Sequence, residues 1–141
     1  MRCKGLRKPN RVFFVDSIKS LTMHISPPTV EGVVRHHLEA LGNNDLAELL
    51  KDYIEQSEIW TANGPFVGIA AISAFFSATF TLLPAHSTTF EIKHMIVKGN
   101  KCYIVWTAEN PLVSIPVGTD SFELKDGKIV WQSVASHNVL K

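Results

Sequence analysis

The chain has 141 residues, 45% of them hydrophobic and 19% charged, and a formal net charge of +1 at pH 7. This length is typical of one domain with a real hydrophobic core, and a charge near zero gives no electrostatic reason to expect nucleic acid or an anionic membrane as a partner. No apolar run reaches the roughly 18 to 20 residues that a membrane helix needs. Two cysteines far apart, Cys3 and Cys102, favour a reduced, cytoplasmic setting, with neutral or small molecules as partners.

Residues 1–26 differ from the rest of the chain. The first eleven residues carry five basic side chains and no acidic one. The run lacks the long apolar centre and small-residue cleavage site of a signal peptide. One interpretation is a basic tail that is disordered or forms a short appended helix, because Phe14, Ile18, Leu21 and Ile25 have helical spacing. The other is that translation begins at Met23.

Two helices are predicted at the start of the domain, which we assign to residues 27–141. Pro27 and Pro28 precede Thr29, a good N-cap, and the helix that follows is expected to run to about Leu41. Its apolar stripe contains Val30, Val33, Val34, His37, Leu38 and Leu41, so His37 is expected on the buried face and the neighbouring His36 elsewhere. Gly42 ends this helix, and a second short helix follows with Leu46, Leu49 and Leu50 inward.

Strands and one long helix are predicted for the remainder. Residues 53–61 have strand character, with neither face cleanly apolar, and residues 66–67 form a possible short return strand after the turn at 63–65. Residues 69–83 are apolar almost all round, which predicts a helix buried against a sheet. Residues 88–97 and 101–109 flank Gly99-Asn100, a two-residue hairpin loop. Counting from that loop predicts three facing pairs: His94 with Val105, Ile92 with Thr107 and Phe90 with Glu109.

A last hairpin contains the most unusual residue of the chain. Asp126-Gly127 separates two alternating runs and predicts a type I′ turn, which needs positive φ at both positions. Counting outward from the turn predicts the facing pairs Leu124 with Ile129, Phe122 with Trp131, Asp120 with Ser133, Gly118 with Ala135 and Pro116 with His137. This side of the ribbon is apolar apart from Asp120. A carboxylate in such surroundings is either paired or functional.

The order of elements predicts an α+β fold. A cone-shaped, curved antiparallel sheet would wrap around the N-terminal helices, with the helices gathered on one face. The open end of such a cone is a natural place for a ligand pocket.

Three segments resemble the nuclear-transport-factor-2-like superfamily, in particular its SnoaL-like polyketide cyclases and ketosteroid isomerases. They are residues 33–41 followed by Asn44-Asp45-Leu46, residues 57–61 with Gly68 beyond, and Asp120-Ser121-Phe122 with residues 126–129. The resemblance covers residues 29–137 and implies a cystatin-like α+β barrel and a homodimer formed through the exposed sheet face. It does not imply one activity, because this superfamily contains enzymes, binding proteins and transport factors.

The resemblance also assigns positions. Asp120 corresponds to the protonated acid of the isomerases and to the single acid-base of the cyclases, and His37 corresponds to an oxyanion-binding tyrosine. Thr61 stands where the isomerases have a general base. Since threonine cannot accept a proton at neutral pH, an isomerase mechanism with two carboxylates is disfavoured.

Asp120 and His37 are therefore the candidate catalytic residues. Candidate ligand-binding residues are Trp60, Phe76, Glu109, Phe122, Trp131 and Ser133, because aromatic walls suit a flat hydrophobic ligand. No metal site and no cofactor are expected, since no His or acidic pair has ligand spacing on one face. The structural alternatives are an Asp120 that is hydrogen-bonded only for stability, a His37 that is satisfied within the core, and a Glu109 that ends its strand in water.

Two functions remain open at this point. The first is an enzyme of the SnoaL-like kind that binds a small hydrophobic carbonyl compound and uses Asp120, helped by His37, for cofactor-free proton transfer. The second is a non-catalytic ligand-binding or dimerisation module.

Overall fold

The computed structural model describes residues 28–141, so the basic segment considered over residues 1–26 lies outside the described residues. Three helices and six strands make up this range: α1 (Val30–Gly42), α2 (Leu46–Leu50), β1 (Tyr53–Thr61), β2 (Gly64–Val67), α3 (Ile69–Leu82), β3 (Thr89–Lys98), β4 (Lys101–Glu109), β5 (Val113–Lys125) and β6 (Lys128–Leu140). None of these helices is both long enough and apolar enough to cross a bilayer.

Helix α1 begins as its sequence predicts. The Thr29 side chain accepts a hydrogen bond from the Gly32 backbone N–H at 2.9 Å, which satisfies one of the free donors of the first turn. Its buried residues are Val33, Val34, His37 and Ala40. The predicted burial of His37 is therefore confirmed.

His36 points away from that face and joins α1 to the segment after it. Its two ring nitrogens lie 2.7 Å from a Glu48 carboxylate oxygen and 2.7 Å from an Asp52 carboxylate oxygen. Burial opposes protonation of His36, but the hydrogen bonds to both carboxylates outweigh it and raise its pKa above 6.5. The histidine therefore fixes α1 against α2 and the start of β1.

The six strands form one sheet in the order β2-β1-β6-β5-β4-β3. The predicted α+β fold is confirmed, with one difference in the sheet. Four of its pairings are antiparallel, but β1 and β6 are parallel. Two hydrogen bonds of Ile129 support this pairing, one from its N–H to the Asp52 carbonyl at 2.7 Å and one from the Ser57 hydroxyl to its carbonyl at 2.6 Å.

The long helices cover the inner face of the sheet at different places. Helix α1 contacts β3 and β4, whereas α3 contacts β1 and β2. Ile72 and Phe76 are the buried residues of α3, and most of its other apolar side chains are only partly buried. The helices therefore leave a space between them, and the inner face of the sheet forms one wall of this space.

The turn of the last hairpin is as predicted, but the predicted strand register beyond the turn is wrong. Asp126 and Gly127 have φ values of 53° and 76°, and Leu124 pairs with Ile129 as expected. The next pair is Glu123 with Trp131, so Val130 is the extra residue of a β-bulge.

The bulge exchanges the faces of β6. The observed pairs are Phe122 with Gln132, Asp120 with Val134, Gly118 with Ser136 and Val117 with His137. Because side chains alternate along a strand, Gln132 and Val134 join Asp120 on the inner face, while Trp131 and Ser133 move to the outer face.

A second bulge shifts the β3–β4 hairpin. His94 pairs with Val105 as predicted, but the register changes at Lys93, and the pairs beyond it are Ile92 with Trp106 and Phe90 with Ala108. Phe90 thereby packs against Trp106, with ring centroids 5.1 Å apart.

Candidate functional site

A cavity of about 610 Å³ lies between α1, α3 and the inner face of the sheet. Its wall is mainly apolar, with side chains that include Leu38, Phe66, Phe75, Phe76, Leu82, Phe90, Ile104, Trp106, Ile115 and Val134. Its polar residues are His37, Thr61, Asn63, Thr79, Asp120, Gln132, Ser136 and Asn138. Asn63, Ser136 and Asn138 are solvent-exposed, so the mouth lies between the β1–β2 turn and the end of β6.

Asp120 lies on β5 in the wall of this cavity. Only 7% of its surface is exposed, and both of its oxygens accept hydrogen bonds, Oδ1 from Trp106 Nε1 at 2.8 Å and Oδ2 from Gln132 Nε2 at 2.8 Å. Burial raises the pKa of Asp120 to about 6, while these two bonds limit the increase because they favour the charged form. At pH 7 the carboxyl is therefore mostly ionised, so it can accept a proton rather than donate one as a neutral acid.

Gly118 allows Trp106 to reach Asp120. The two residues pair across β4 and β5, and a β-carbon at Gly118 would lie 2.3 Å from the indole atoms Cε2 and Cζ2. The indole therefore occupies the space that any other residue at 118 would fill. In this position the indole N–H donates a hydrogen bond to the Asp120 carboxylate.

His37 and Asp120 both line the cavity, but no direct hydrogen bond joins them. Two residues connect them instead. The Tyr53 hydroxyl lies 3.3 Å from His37 Nδ1 and donates to Gln132 Oε1 at 2.5 Å, and the amide nitrogen of Gln132 donates to Asp120. An amide in this position orients its neighbours without passing a proton between them, so His37 and Asp120 present two separate polar groups to the cavity.

His37 is a neutral residue in an aromatic environment. It is 1% exposed, and the rings of Tyr53, Phe76 and Phe122 meet it edge to face at centroid distances of 6.0, 5.6 and 5.5 Å. Burial, with a smaller effect from His36, lowers the pKa of His37 to about 3. Burial and the nearby charges of Asp120 and Asp52 raise the pKa of Tyr53 well above 10, so its hydroxyl keeps its proton.

The structure separates the other predicted ligand-binding residues. Phe76 lines the cavity. Phe122 is buried against His37 and does not line the cavity. Trp60, which is 52% exposed, packs edge to face against Trp131 at 5.5 Å on the outer face of the sheet.

Ser133 and Glu109 also lie away from the cavity. Ser133 pairs with Ser121 and with Trp60, on the outer face to which the bulge moves it. Glu109 is exposed and forms an ion pair with Lys141. Its predicted partner Phe90 is displaced by the second bulge.

Thr61 lines the cavity, but its hydroxyl belongs to the β1–β2 turn. It accepts from the Asn63 backbone N–H at 3.0 Å and lies 3.3 Å from the Gly64 carbonyl, to which it donates. Within residues 28–141, no group of three His, Cys, Asp or Glu side chains is placed to hold a metal ion.

Three site residues were missed in the sequence, namely Tyr53, Trp106 and Gln132. In the predicted register Gln132 lies on the face opposite Asp120, and only the bulge at Val130 brings it beside Asp120. Trp106 is not among the candidates from the sequence, although the alternation of apolar residues along β4 indicates that it faces inward.

Residues 34–132 match the model of the SnoaL-like domain family. The chain therefore belongs to this family. No curated protein matches the sequence.

Several solved structures share the fold of this chain at low sequence identity. A candidate SnoaL-like polyketide cyclase from Shewanella putrefaciens CN-32 superimposes with a TM-score of 0.67 at 15% identity, covering 91% of this chain and 92% of that one. A candidate polyketide cyclase from Sinorhizobium meliloti gives 0.61 at 19% identity, with 73% and 93% covered. AclR, a candidate hydroxylase from Streptomyces galilaeus, gives 0.65 at 13% identity, with 77% and 88% covered. At these identities the likeness concerns the fold.

Proposed function

We propose that this protein binds a small hydrophobic carbonyl compound in the cavity and that Asp120 transfers a proton to and from it. The observation that carries the proposal is a buried carboxylate, with both oxygens accepting hydrogen bonds from N–H donors, in the wall of a mainly apolar cavity. A pKa of about 6 suits a general base at neutral pH, since the group is deprotonated and still basic enough to accept a proton.

The reaction requires no further reactant. Asp120 removes a proton from the carbon next to the ligand's carbonyl, and the C–H electron pair moves into an enolate. Returning the proton to another carbon of that system isomerises the ligand. Alternatively, the enolate carbon attacks a second carbonyl of the same molecule, and Asp120 returns the proton to the new alkoxide, which closes a ring.

The names of two structural neighbours, both candidate polyketide cyclases, agree with this chemistry. The neighbour from Streptomyces galilaeus carries a different name, a candidate hydroxylase, so the fold alone does not choose the reaction. The choice rests on Asp120.

The test uses 2-tetralone, a bicyclic ketone whose α-protons exchange for deuterium in D2O and can be followed by proton NMR. The protein is expected to accelerate exchange above the buffer rate. Asp120→Asn is expected to reduce that acceleration by at least about 100-fold, the lower range for a positioned general base. The matched control is Asp126→Asn, the same chemical change at an exposed turn residue, which is expected to keep the full rate.

The rival function, a non-catalytic ligand-binding module, predicts a different result. It is supported if 2-tetralone binds to the protein and to Asp120→Asn alike, with no exchange above the buffer rate in either. The proposal fails if 2-tetralone neither binds nor exchanges.

We also propose that two copies associate through the outer face of the sheet. Trp60, Ile96 and Tyr103 are 52, 60 and 39% exposed on that face. Ile96 and Tyr103 are paired on the neighbouring strands β3 and β4, and exposed apolar groups of this kind favour burial. Light scattering coupled to size exclusion is expected to give twice the chain mass for the protein and the single mass for Ile96→Lys.

A cytoplasmic location stays a prediction of the sequence.

A further inference from the structure

The hydrogen-bond chain behind the cavity has a fixed direction. Tyr53 has one hydroxyl proton, and the 2.5 Å contact with Gln132 Oε1 uses it. The Gln132 oxygen faces Tyr53 because its nitrogen faces the Asp120 carboxylate, 2.8 Å away, which can only accept. The direction of every bond in the chain therefore follows from the charge of Asp120.

This direction assigns the proton of His37. Since Tyr53 donates to Gln132, its oxygen can only accept in the 3.3 Å contact with His37 Nδ1. Nδ1 must therefore carry the proton. A neutral imidazole has one N–H, so Nε2 of His37 has a free lone pair and no proton.

Nε2 has no hydrogen-bond partner among residues 28–141, although His37 lines the cavity and is 1% exposed. A buried acceptor without a partner is unfavourable, and a native protein normally satisfies it. A ligand in the cavity can supply the missing donor.

We propose that the ligand carries a hydroxyl group that donates a hydrogen bond to Nε2 of His37. This inference rests on the proposed function, because it places the hydroxyl on the compound that Asp120 acts upon. The chemical class is therefore a hydroxylated, flat, hydrophobic carbonyl compound such as a phenolic or enolic ketone. His37 here differs from the oxyanion-binding role that the family resemblance implied, because an unprotonated nitrogen accepts and cannot donate to an oxyanion.

The first test compares two ligands of similar shape, 2-naphthol and 2-methoxynaphthalene, by isothermal titration at pH 7.5. They differ in whether the oxygen can donate. The protein is expected to bind 2-naphthol about fivefold more tightly, the factor that one net hydrogen bond typically contributes. Equal affinity, or no binding of either compound, overturns this inference and leaves the proposed function intact, because that function is tested separately with 2-tetralone.

Two variants locate the preference at His37 rather than at Asp120. His37→Asn places an amide near the position of Nδ1 and removes the atom at the position of Nε2, so the preference for 2-naphthol is expected to disappear. His37→Gln places an amide oxygen near the position of Nε2 and is expected to retain part of it. A full preference in His37→Asn overturns the inference. Circular dichroism checks that both variants are folded.

A measurement on the unmodified protein covers the case in which neither variant folds. Long-range nitrogen–proton NMR distinguishes the two neutral tautomers of histidine. The inference requires a protonated Nδ1 at His37, and a change in the Nε2 shift when 2-naphthol is added but not when 2-methoxynaphthalene is added. A protonated Nε2 overturns it.

Discussion

Replacing Asp120 with asparagine is expected to change how the free energy of unfolding depends on pH. Burial raises the pKa of Asp120 from 3.8 to about 6, so the folded protein binds a proton more tightly than the unfolded chain does. The stability associated with this group is therefore fully present below about pH 4 and is lost as pH rises through 6. Since each pKa unit corresponds to about 1.4 kcal/mol, the loss between pH 3 and pH 7 is about 3 kcal/mol.

His37 has the opposite effect over an overlapping range, which makes a comparison of two proteins necessary. Its pKa is lowered to about 3, so the unfolded chain binds the additional proton, and stability rises from about pH 3 to pH 6.5. This contribution is the same in the protein and in Asp120→Asn. The difference between the two pH curves therefore isolates Asp120.

The assay is urea unfolding at several values between pH 3 and pH 7, with Asp126→Asn as the control for the same change on the surface. Asp120→Asn is expected to lose a pH-independent part of its free energy of unfolding, because the new amide nitrogen faces an N–H donor. In addition, its stability is expected to gain about 3 kcal/mol relative to the unmodified protein as pH rises from 3 to 7. Parallel curves for the two proteins would refute the assignment of a buried carboxylate that ionises near pH 6.

Three further substitutions test the surroundings of the site. Gly118→Ala is expected to displace the Trp106 indole, because two of its atoms would lie 2.3 Å from the new β-carbon. The pKa of Asp120, followed by carbon NMR, should then rise because a hydrogen bond to the charged form is lost. An unchanged pKa of Asp120 contradicts this expectation. Tyr53→Phe leaves two buried polar partners unsatisfied and should cost about 1–3 kcal/mol in urea unfolding, so a neutral effect argues against the chain. His36→Gln should abolish the fall in stability that occurs as pH rises through the raised pKa of His36. The measurement is thermal unfolding between pH 6 and 9, and a fall that persists in the variant belongs to another group.

Local features of the chain were predictable because local chemistry determines them. Thr29 caps α1, the apolar stripe buries His37, and the Asp126-Gly127 turn has the positive φ values that its sequence requires. Asp120 was correctly singled out as a carboxylate on an apolar face. These features depend on residues within one turn or one ribbon.

Features that depend on distant contacts were not predictable in the same way. The bulge at Val130 has no local signal, and it reversed the faces of Gln132, Trp131 and Ser133. The parallel pairing of β1 with β6 joins segments some 70 residues apart, and it is supported by backbone groups of Asp52 and Ile129 that look unremarkable in the sequence. The neighbours of Asp120 consequently became visible only in the folded chain.

The pH dependence of 2-tetralone exchange tests the role of Asp120 most directly. After subtraction of the buffer rate, kcat/KM is expected to rise about tenfold per pH unit below pH 6 and to level off above it, since it reports the ionisation of the free protein. The increase should disappear in Asp120→Asn and persist in Asp126→Asn. A profile that stays flat across pH 6, or one that survives in Asp120→Asn, would contradict the role of Asp120 as the base.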